Sequence, residues 1–333
     1  MTIIIAFDGF QRGSHSMSTA RICLIGGSGF MGRHLAAHLI KAGYQVRVLT
    51  RRREAHRELL VLPNLTLVET NIYDVNALSA QLQDMDAVVN LVGILNERRR
   101  GDFQRAHVDL TQNIVDACRA TGVKRLLHMS ALKADAQNGP SQYLRTKGEG
   151  EAIALGATDL QVTAFQPSVI FGPDDQFFNR FAHLLALSPG IFPLACADAR
   201  FAPVYVEDVA EAFVRAIRNR DTFGQRYELC GPTPYSLREL VDYVAELTGH
   251  RRRIISLGDR LSWWQGFVFE HLPGKPFSRD NFLSTRVNSL CKSQFPAVFD
   301  IKPASIEAIV PGYLGERDLN ARFNVLRKGA GRD

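Results

Sequence analysis

From Arg21 onward, short continuous apolar runs alternate with longer stretches in which apolar residues recur every three or four positions. The first pattern reads as a strand buried on both faces, the second as a helix with one apolar side. The runs Ile22–Ile25, Val46–Leu49, Leu65–Val68, Ala87–Val92, Leu126–Met129 and Leu160–Phe165 predict strands. The stretches Met31–Ala42, Val75–Leu82, Phe103–Ala120 and Tyr143–Leu155 predict the helices between them, with Gly43 and Gly122 as stops. This order predicts an α/β fold: a parallel sheet, doubly wound, with helices on both faces. After Pro167 the rhythm changes. Prolines and glycines become frequent, and two further helices stand out, Val209–Arg218 and Leu237–Leu247. That region suits a smaller C-terminal lobe stitched onto the sheet edge.

The first strand runs into Ile25-Gly26-Gly27-Ser28-Gly29-Phe30-Met31-Gly32, which opens the first helix. Glycines at 26, 29 and 32 permit a tight turn, close approach to a pyrophosphate and close packing of helix on strand. The helix start offers unpaired N–H groups and a positive dipole end to the phosphates. Strand before and helix after give the triplet its weight as a dinucleotide site. An enzyme using NAD usually has an acid after the second strand for the ribose hydroxyl. Here Thr50-Arg51-Arg52-Arg53 stands in that place. A guanidinium suits a 2′-phosphate, and Arg33 is placed to join it. NADP(H) is therefore the favoured cofactor, with NAD(H) as the alternative.

Charge and cysteines narrow the classes. The net charge of +6 is spread over three short clusters, Arg51–Arg53, Arg98–Arg100 and Arg251–Arg253, rather than one stripe. Such clusters read as local phosphate sites or solvated faces, not as a nucleic-acid surface. Five cysteines, none closely spaced, suggest neither a zinc site nor a disulfide framework, and point to a reducing cytosolic setting. No stretch approaches the roughly 18 apolar residues of a membrane span. Residues 1–19 read as a disordered or upstream extension. Residues 20–170 read as the dinucleotide-binding domain, its sheet continued by parts of 200–230, and 171–330 as a substrate-binding lobe.

Tyr143 and Lys147 stand four apart on a predicted helix and share a face. Ser130 closes the fifth strand, on the side where ligands bind. A neighbouring ammonium lowers a phenol's pKa, so Tyr143 is expected to exchange a proton with a substrate oxygen that Ser130 holds. His107 and Asp109 lie on one helix, and His107 reads as a solvated or locally satisfied histidine. Arg98–Arg100 reads as a solvated loop. Leu261-Ser262-Trp263-Trp264-Gln265-Gly266-Phe267-Val268-Phe269 reads as a core helix of the lobe, with a pocket wall, a partner surface or a membrane contact as the other readings.

Together these residues resemble the short-chain dehydrogenase/reductase superfamily in its extended or atypical, epimerase/dehydratase-like branch, from about Arg21 to Leu247. Ser130, Tyr143 and Lys147 match its catalytic trio. Phe165–Gly172 matches the segment that passes the nicotinamide, and Val204–Ala210 a motif of nucleotide-sugar epimerases and dehydratases. Within that branch the chain looks most like bacterial relatives of the nucleotide-binding accessory subunit of respiratory complex I, on Val89–Leu95 and His128–Leu132. The resemblance implies a cofactor site of Gly26, Ser28, Gly29, Phe30, Met31, Gly32, Arg33, Arg51, Asn71, Ile72, Leu91, Val92, Gly93, Met129, Tyr143, Lys147, Gln166, Pro167, Ser168 and Val169. Departures are Gln166 for the usual arginine, Asn71 for the usual acid near adenine, and His107 for an asparagine.

Three functions follow as expectations. The first is an NADP(H)-dependent oxidoreductase acting on an unidentified carbonyl or hydroxyl substrate. The second is a non-catalytic NADPH-binding protein related to a complex I accessory subunit, with a respiratory-complex or membrane-surface partner. The third is a nucleotide-sugar epimerase or dehydratase. The expected location is cytoplasmic, peripheral at the inner membrane face where such a partner exists.

Overall fold

Strand β1 (Arg21–Ile25) buries four consecutive residues because both faces of its sheet are covered. Ile22 and Leu24 enter one core with α1 (Phe30–Lys41) and α6 (Val206–Arg218), whereas Cys23 and Ile25 enter the opposite core. The latter is closed by α2 (Val75–Leu82), α3 (Leu110–Thr121) and α4 (Gln142–Gly156). The computed structural model describes residues 19–272, 275 and 277–314. The extension read at residues 1–19 thus lies outside the described residues, apart from Thr19.

The remaining sheet strands are β2 (Gln45–Thr50), β3 (Leu65–Glu69), β4 (Ala87–Asn90), β5 (Arg125–Met129) and β6 (Gln161–Pro167), with Gln225–Leu229 as a seventh at one edge. All pairs are parallel. The sequence runs β1-β2-β3 toward one edge and β4-β5-β6 toward the other. The switch between β1 and β4 opens a crevice at the carboxyl ends of the strands. Every expected strand and helix of this part forms, with local differences. The expected strand Ala87–Val92 stops at Asn90, whose Oδ1 accepts from Val92 N at 3.1 Å and turns the chain. The expected helix Phe103–Ala120 opens with a π-turn, Gln104–Asp109, before α3.

After β6 come β7 (Ile170–Phe171), α5 (Phe178–Leu187), β8 (Ile191–Leu194), β9 (Arg200–Phe201) and β10 (Val204–Tyr205). Beyond α6 and the edge strand β11 (Gln225–Leu229) lie β12 (Tyr235–Ser236), α7 (Leu237–Leu247), β13 (Arg253–Ser256), α8 (Asp259–Phe269) and α9 (Arg279–Ser284). Phe171, Phe178, Leu185, Phe192, Leu240 and Val244 form a separate core here. Two expectations are corrected. First, α8 forms, but its large apolar residues face outward: Leu261 is 60% exposed and Trp264 58%. Secondly, Cys230 and Cys291 form a disulfide, 61 residues apart in sequence. Spacing along the chain is blind to this pairing, which the fold makes by returning the segment after α9 to the end of β11. Cys23 and Cys118 are buried free thiols. Among the described residues no helix is long and apolar enough to cross a membrane.

Helices α1 and α6 are joined by a charged staple. Glu207 bonds His34 Nδ1 at 2.5 Å and also His38 Nε2, and His38 Nδ1 lies 3.4 Å from Glu211. Glu211 in turn pairs with Arg215 at 2.7 Å. The Glu207 bond raises the His38 pKa above its ordinary 6.5, and the two histidines depress Glu207 to about 2. A raised histidine stabilises below its unfolded value and loses this as pH climbs through its folded one. A depressed carboxylate stabilises above its unfolded value and loses this on acidification. Both contributions coexist between Glu207's ordinary 4.5 and His38's ordinary 6.5. Glu207→Gln is therefore expected to lower stability most in that window, by up to about 1 kcal/mol for groups this exposed. Calorimetry across pH checks it, and an effect larger at alkaline pH contradicts it.

Candidate active site

The glycine turn sits at the carboxyl end of β1. Gly26 takes a φ of +82°, and a Cβ there would lie 3.1 Å from the backbone of Leu91 and Val92 in the loop after β4. A Cβ on Gly32 would lie 2.5 Å from the Gly27 backbone, so α1 starts directly against the turn. Gly29 is the N-cap of α1, no side chain caps it, and its first turn carries no acid. The first amides of a helix have no partner within it. Those of Phe30, Met31 and Gly32 are thus left for an anion, with Ser28 beside them.

The other expected cofactor residues lie at the ends of neighbouring strands. Leu91 to Gly93 follow β4, and a Cβ on Gly93 would be 3.7 Å from Lys147 Nζ. Lys147, on α4, donates to Met129 O at 2.6 Å at the end of β5. Ser130 follows; its amide donates to Phe165 O in β6 at 2.7 Å. Its hydroxyl is buried with no hydrogen-bond partner among the described residues. A buried polar atom left unpaired costs about 1–3 kcal/mol unless a ligand satisfies it. These contacts make a continuous row from the glycine turn to Ser130.

Other expected residues are drawn into the protein. Gln166 donates to both oxygens of buried Glu151, at 3.1 and 2.8 Å, and Arg226 reaches the same carboxylate at 3.2 Å. Ser168 Oγ lies 3.0 Å from both the carbonyl and the hydroxyl of Ser289. That segment is tied down by the Cys230–Cys291 bond. Pro167 is buried within β6, and Val169 is half-buried after it. Asn71 Oδ1 accepts from Tyr73 N at 3.1 Å, closing a turn around Ile72, which is buried. Arg51 is exposed after β2, and Arg33 is half-buried on α1. Sequence reasoning passed over Glu69, at the end of β3, which accepts from Arg53 N at 2.8 Å and puts a carboxylate beneath this arginine loop.

Tyr143 lies in the first turn of α4, which Ser141 caps by accepting from Leu144 N at 3.1 Å. Its ring packs edge-on against His107 and Phe103, with centroids 5.6 and 6.0 Å away. His107 is buried and fully satisfied. Its Nε2 accepts from Ile94 N at 3.1 Å, and Nδ1 lies 2.9 Å from Thr146 Oγ1, whose hydroxyl donates to Gln142 O. Burial, then the Lys147 ammonium, push its pKa down to about 2. The neutral ring therefore holds one tautomer, with the proton on Nδ1. A Cβ on Gly150 would come 2.2 Å from His107 O, so α4 can pack this closely only with glycine there.

The expected tuning of Tyr143 is corrected in its direction. Burial, and then the Asp280 carboxylate, push the phenol up to about 12. Asp280, from α9, accepts from the amides of Gln142 and Tyr143 at 2.7 and 3.2 Å. Lys147 is itself lowered to about 8 by burial, and its ammonium is engaged by Met129 O. Nothing in the sequence signals Asp280, which lies 137 residues from Tyr143. Among the described residues no cluster of His, Cys, Asp or Glu is arranged to hold a metal ion.

The pattern of the NAD dependent epimerase/dehydratase family matches residues 22–230. The chain belongs to this family. It is 29% identical over 305 residues to the mouse mitochondrial NADH dehydrogenase [ubiquinone] 1 alpha subcomplex subunit 9, covering 89% of this chain and 80% of that protein. It is 28% identical over 241 residues to a ceramide reductase of Caulobacter vibrioides, covering 72% and 74%. Among solved structures it is similar to a dTDP-glucose 4,6-dehydratase of Streptomyces venezuelae with NAD bound: TM-score 0.62, 22% identity, 71% and 84% covered. It is also similar to a nucleoside-diphosphate-sugar epimerase of Staphylococcus aureus: TM-score 0.66, 18% identity, 89% and 99% covered. These two likenesses are of fold.

Proposed function

We propose that this chain is an NADP(H)-dependent oxidoreductase of the short-chain type, acting on a carbonyl or hydroxyl group of a small molecule. The observation that carries the reading is the unpaired, buried hydroxyl of Ser130, next to the carbonyl that Lys147 grips. The residues present fit a dinucleotide: an uncapped helix start, a glycine cradle that a Cβ would fill, and an orphaned hydroxyl in the row beyond. The amides of Phe30 to Gly32 would hold the diphosphate, and Arg51, with Arg33, the ribose phosphate. A nicotinamide bound here supplies hydride transfer. Ser130 orients the substrate oxygen. Tyr143, protonated at neutral pH, donates to that oxygen as a carbonyl is reduced. His107, neutral and fixed by Ile94 and Thr146, holds the ring of Tyr143 in place.

Arg51 tests the cofactor choice. Arg51→Glu is expected to cut NADPH affinity at least tenfold while sparing or improving NADH, the tenfold being about 1.4 kcal/mol from one charge-assisted contact. Equal losses for both cofactors, or none, refute the assignment of Arg51. The resting geometry favours a second reading. Lys147 turned to a backbone carbonyl and a phenol pushed up, not down, suit a protein that holds NADPH without turnover. The mouse relative, named as a subunit of NADH dehydrogenase, supports that reading and a respiratory-complex partner.

A further inference from the structure

Helix α8 is built inside out. Its buried residues are the small ones, Ser262 and Gly266. A Cβ on Gly266 would lie 3.0 Å from the Ser278 carbonyl carbon, so the helix rests directly on the backbone at the start of α9. Its large residues point away: Leu261, Trp264 and Val268 are 60, 58 and 51% exposed, and Leu272, in the turn just beyond the helix, is 45% exposed. The spacing of three and four places the first three in one stripe on the helix. Trp263 stacks on Phe267 alongside, and the Arg279 guanidinium covers both rings at 5.3 and 5.1 Å. An apolar stripe of this kind serves no core of the described residues.

The charge around the stripe selects its occupant. The loop after β4 is tied to this region: Asn281 donates to Leu95 O at 3.1 Å, Ser278 to Asn96 Oδ1 at 2.9 Å, and Lys275 to Glu97 O. That loop carries exposed Leu95 and the exposed triplet Arg98, Arg99 and Arg100. Arg260 adds another exposed guanidinium, and His271 and Lys275 line the cavity of about 370 Å³ shared with the triplet. The acids nearby are turned to internal partners. Asp259 pairs with Arg286, and Glu270 with Arg279. Asp280 caps α4, Glu97 accepts from Gly101 N and Phe103 N, and Asp102 from Arg98 N and Arg99 N. The surface thus presents tryptophan and leucine with a basic rim, the pattern of a helix lying in the headgroup layer of an anionic bilayer. A second copy would set the same basic rim against itself.

We infer that α8, flanked by the Arg98–Arg100 loop, is the face by which this protein docks on an anionic lipid surface. Both tryptophans of the chain lie on α8, so intrinsic emission reports on this helix alone. The test titrates the full chain with phosphatidylglycerol/phosphatidylcholine vesicles and with phosphatidylcholine alone, following tryptophan emission and vesicle flotation. The expected result is a blue shift and flotation with anionic vesicles, both weakened by salt. Leu261→Ser combined with Trp264→Ser is expected to weaken binding roughly tenfold per residue. Replacing Arg98, Arg99 and Arg100 with serine is expected to weaken it about fivefold per arginine. Unchanged melting temperatures show that the variants remain folded. No shift and no flotation with anionic vesicles overturns the inference. Undiminished binding by the Leu261/Trp264 variant does so too, as does lipid-independent self-association that this variant abolishes.

Discussion

Tyr143→Phe is expected to lower turnover by roughly 10²–10⁴-fold while leaving NADPH affinity and the melting temperature unchanged. The phenyl ring keeps its contacts with His107 and Phe103. Only the hydroxyl is lost. The measurement is NADPH oxidation with a panel of short and long-chain ketones, beside calorimetric titration of the cofactor. With the phenol near 12, Tyr143 keeps its proton across the physiological range and acts as an acid. Lys147 sits near 8, so its charge is lost as pH rises past that value. Carbonyl reduction is therefore expected to fall above pH 8 through Lys147 rather than Tyr143. A variant lacking the phenol that still turns over removes Tyr143 from the mechanism. Wild-type protein that holds NADPH but oxidises it with no member of the panel favours the non-catalytic reading.

Gly32→Ala is expected to strike both stability and cofactor binding. The added methyl would meet the Cα, carbonyl carbon and oxygen of Gly27, all at 2.5 Å, and backbone atoms cannot swing aside as a side chain can. Overpacking of this kind costs about 1–3 kcal/mol. Because relief requires lifting α1 off the turn, the amides at Phe30 to Gly32 lose their aim, and NADPH affinity is expected to fall by more than tenfold. Gly156→Ala is the matched control, since a Cβ there meets nothing within 4 Å and Gly156 takes no positive φ. A Gly32→Ala protein with wild-type melting and wild-type affinity contradicts the packing argument.

The central sheet was legible because burial on two faces leaves a continuous apolar run, as in Ile22–Ile25 and Leu126–Met129. The glycine turn was legible because its spacing serves backbone needs that no side chain can meet. The edge strand Gln225-Arg226-Tyr227-Glu228-Leu229 was legible only as a continuation of the sheet within 200–230, not by its bounds, since only Leu229 of the five is buried. Pairings across long separations left no local trace: Cys230 with Cys291, Glu151 with Gln166 and Arg226, and Asp280 on the first turn of α4. The shift of Tyr143 depends on that last contact and on burial, neither of which an i, i+4 spacing reveals. Helix α8 departs from the expected core helix because aromatic content alone does not say which side of a helix is covered. There, Ser262 and Gly266 take the buried side.

Turnover, cofactor choice and the role of Ser130 all require a nicotinamide dinucleotide seated across the β1–β4 crevice. Isothermal titration of the chain with NADPH and NADH tests this directly. Saturable one-to-one binding is expected, tighter for NADPH and lost in Gly32→Ala. Absence of heat with both reduced and oxidised forms of either dinucleotide, from protein shown to be folded and free of retained cofactor, contradicts it.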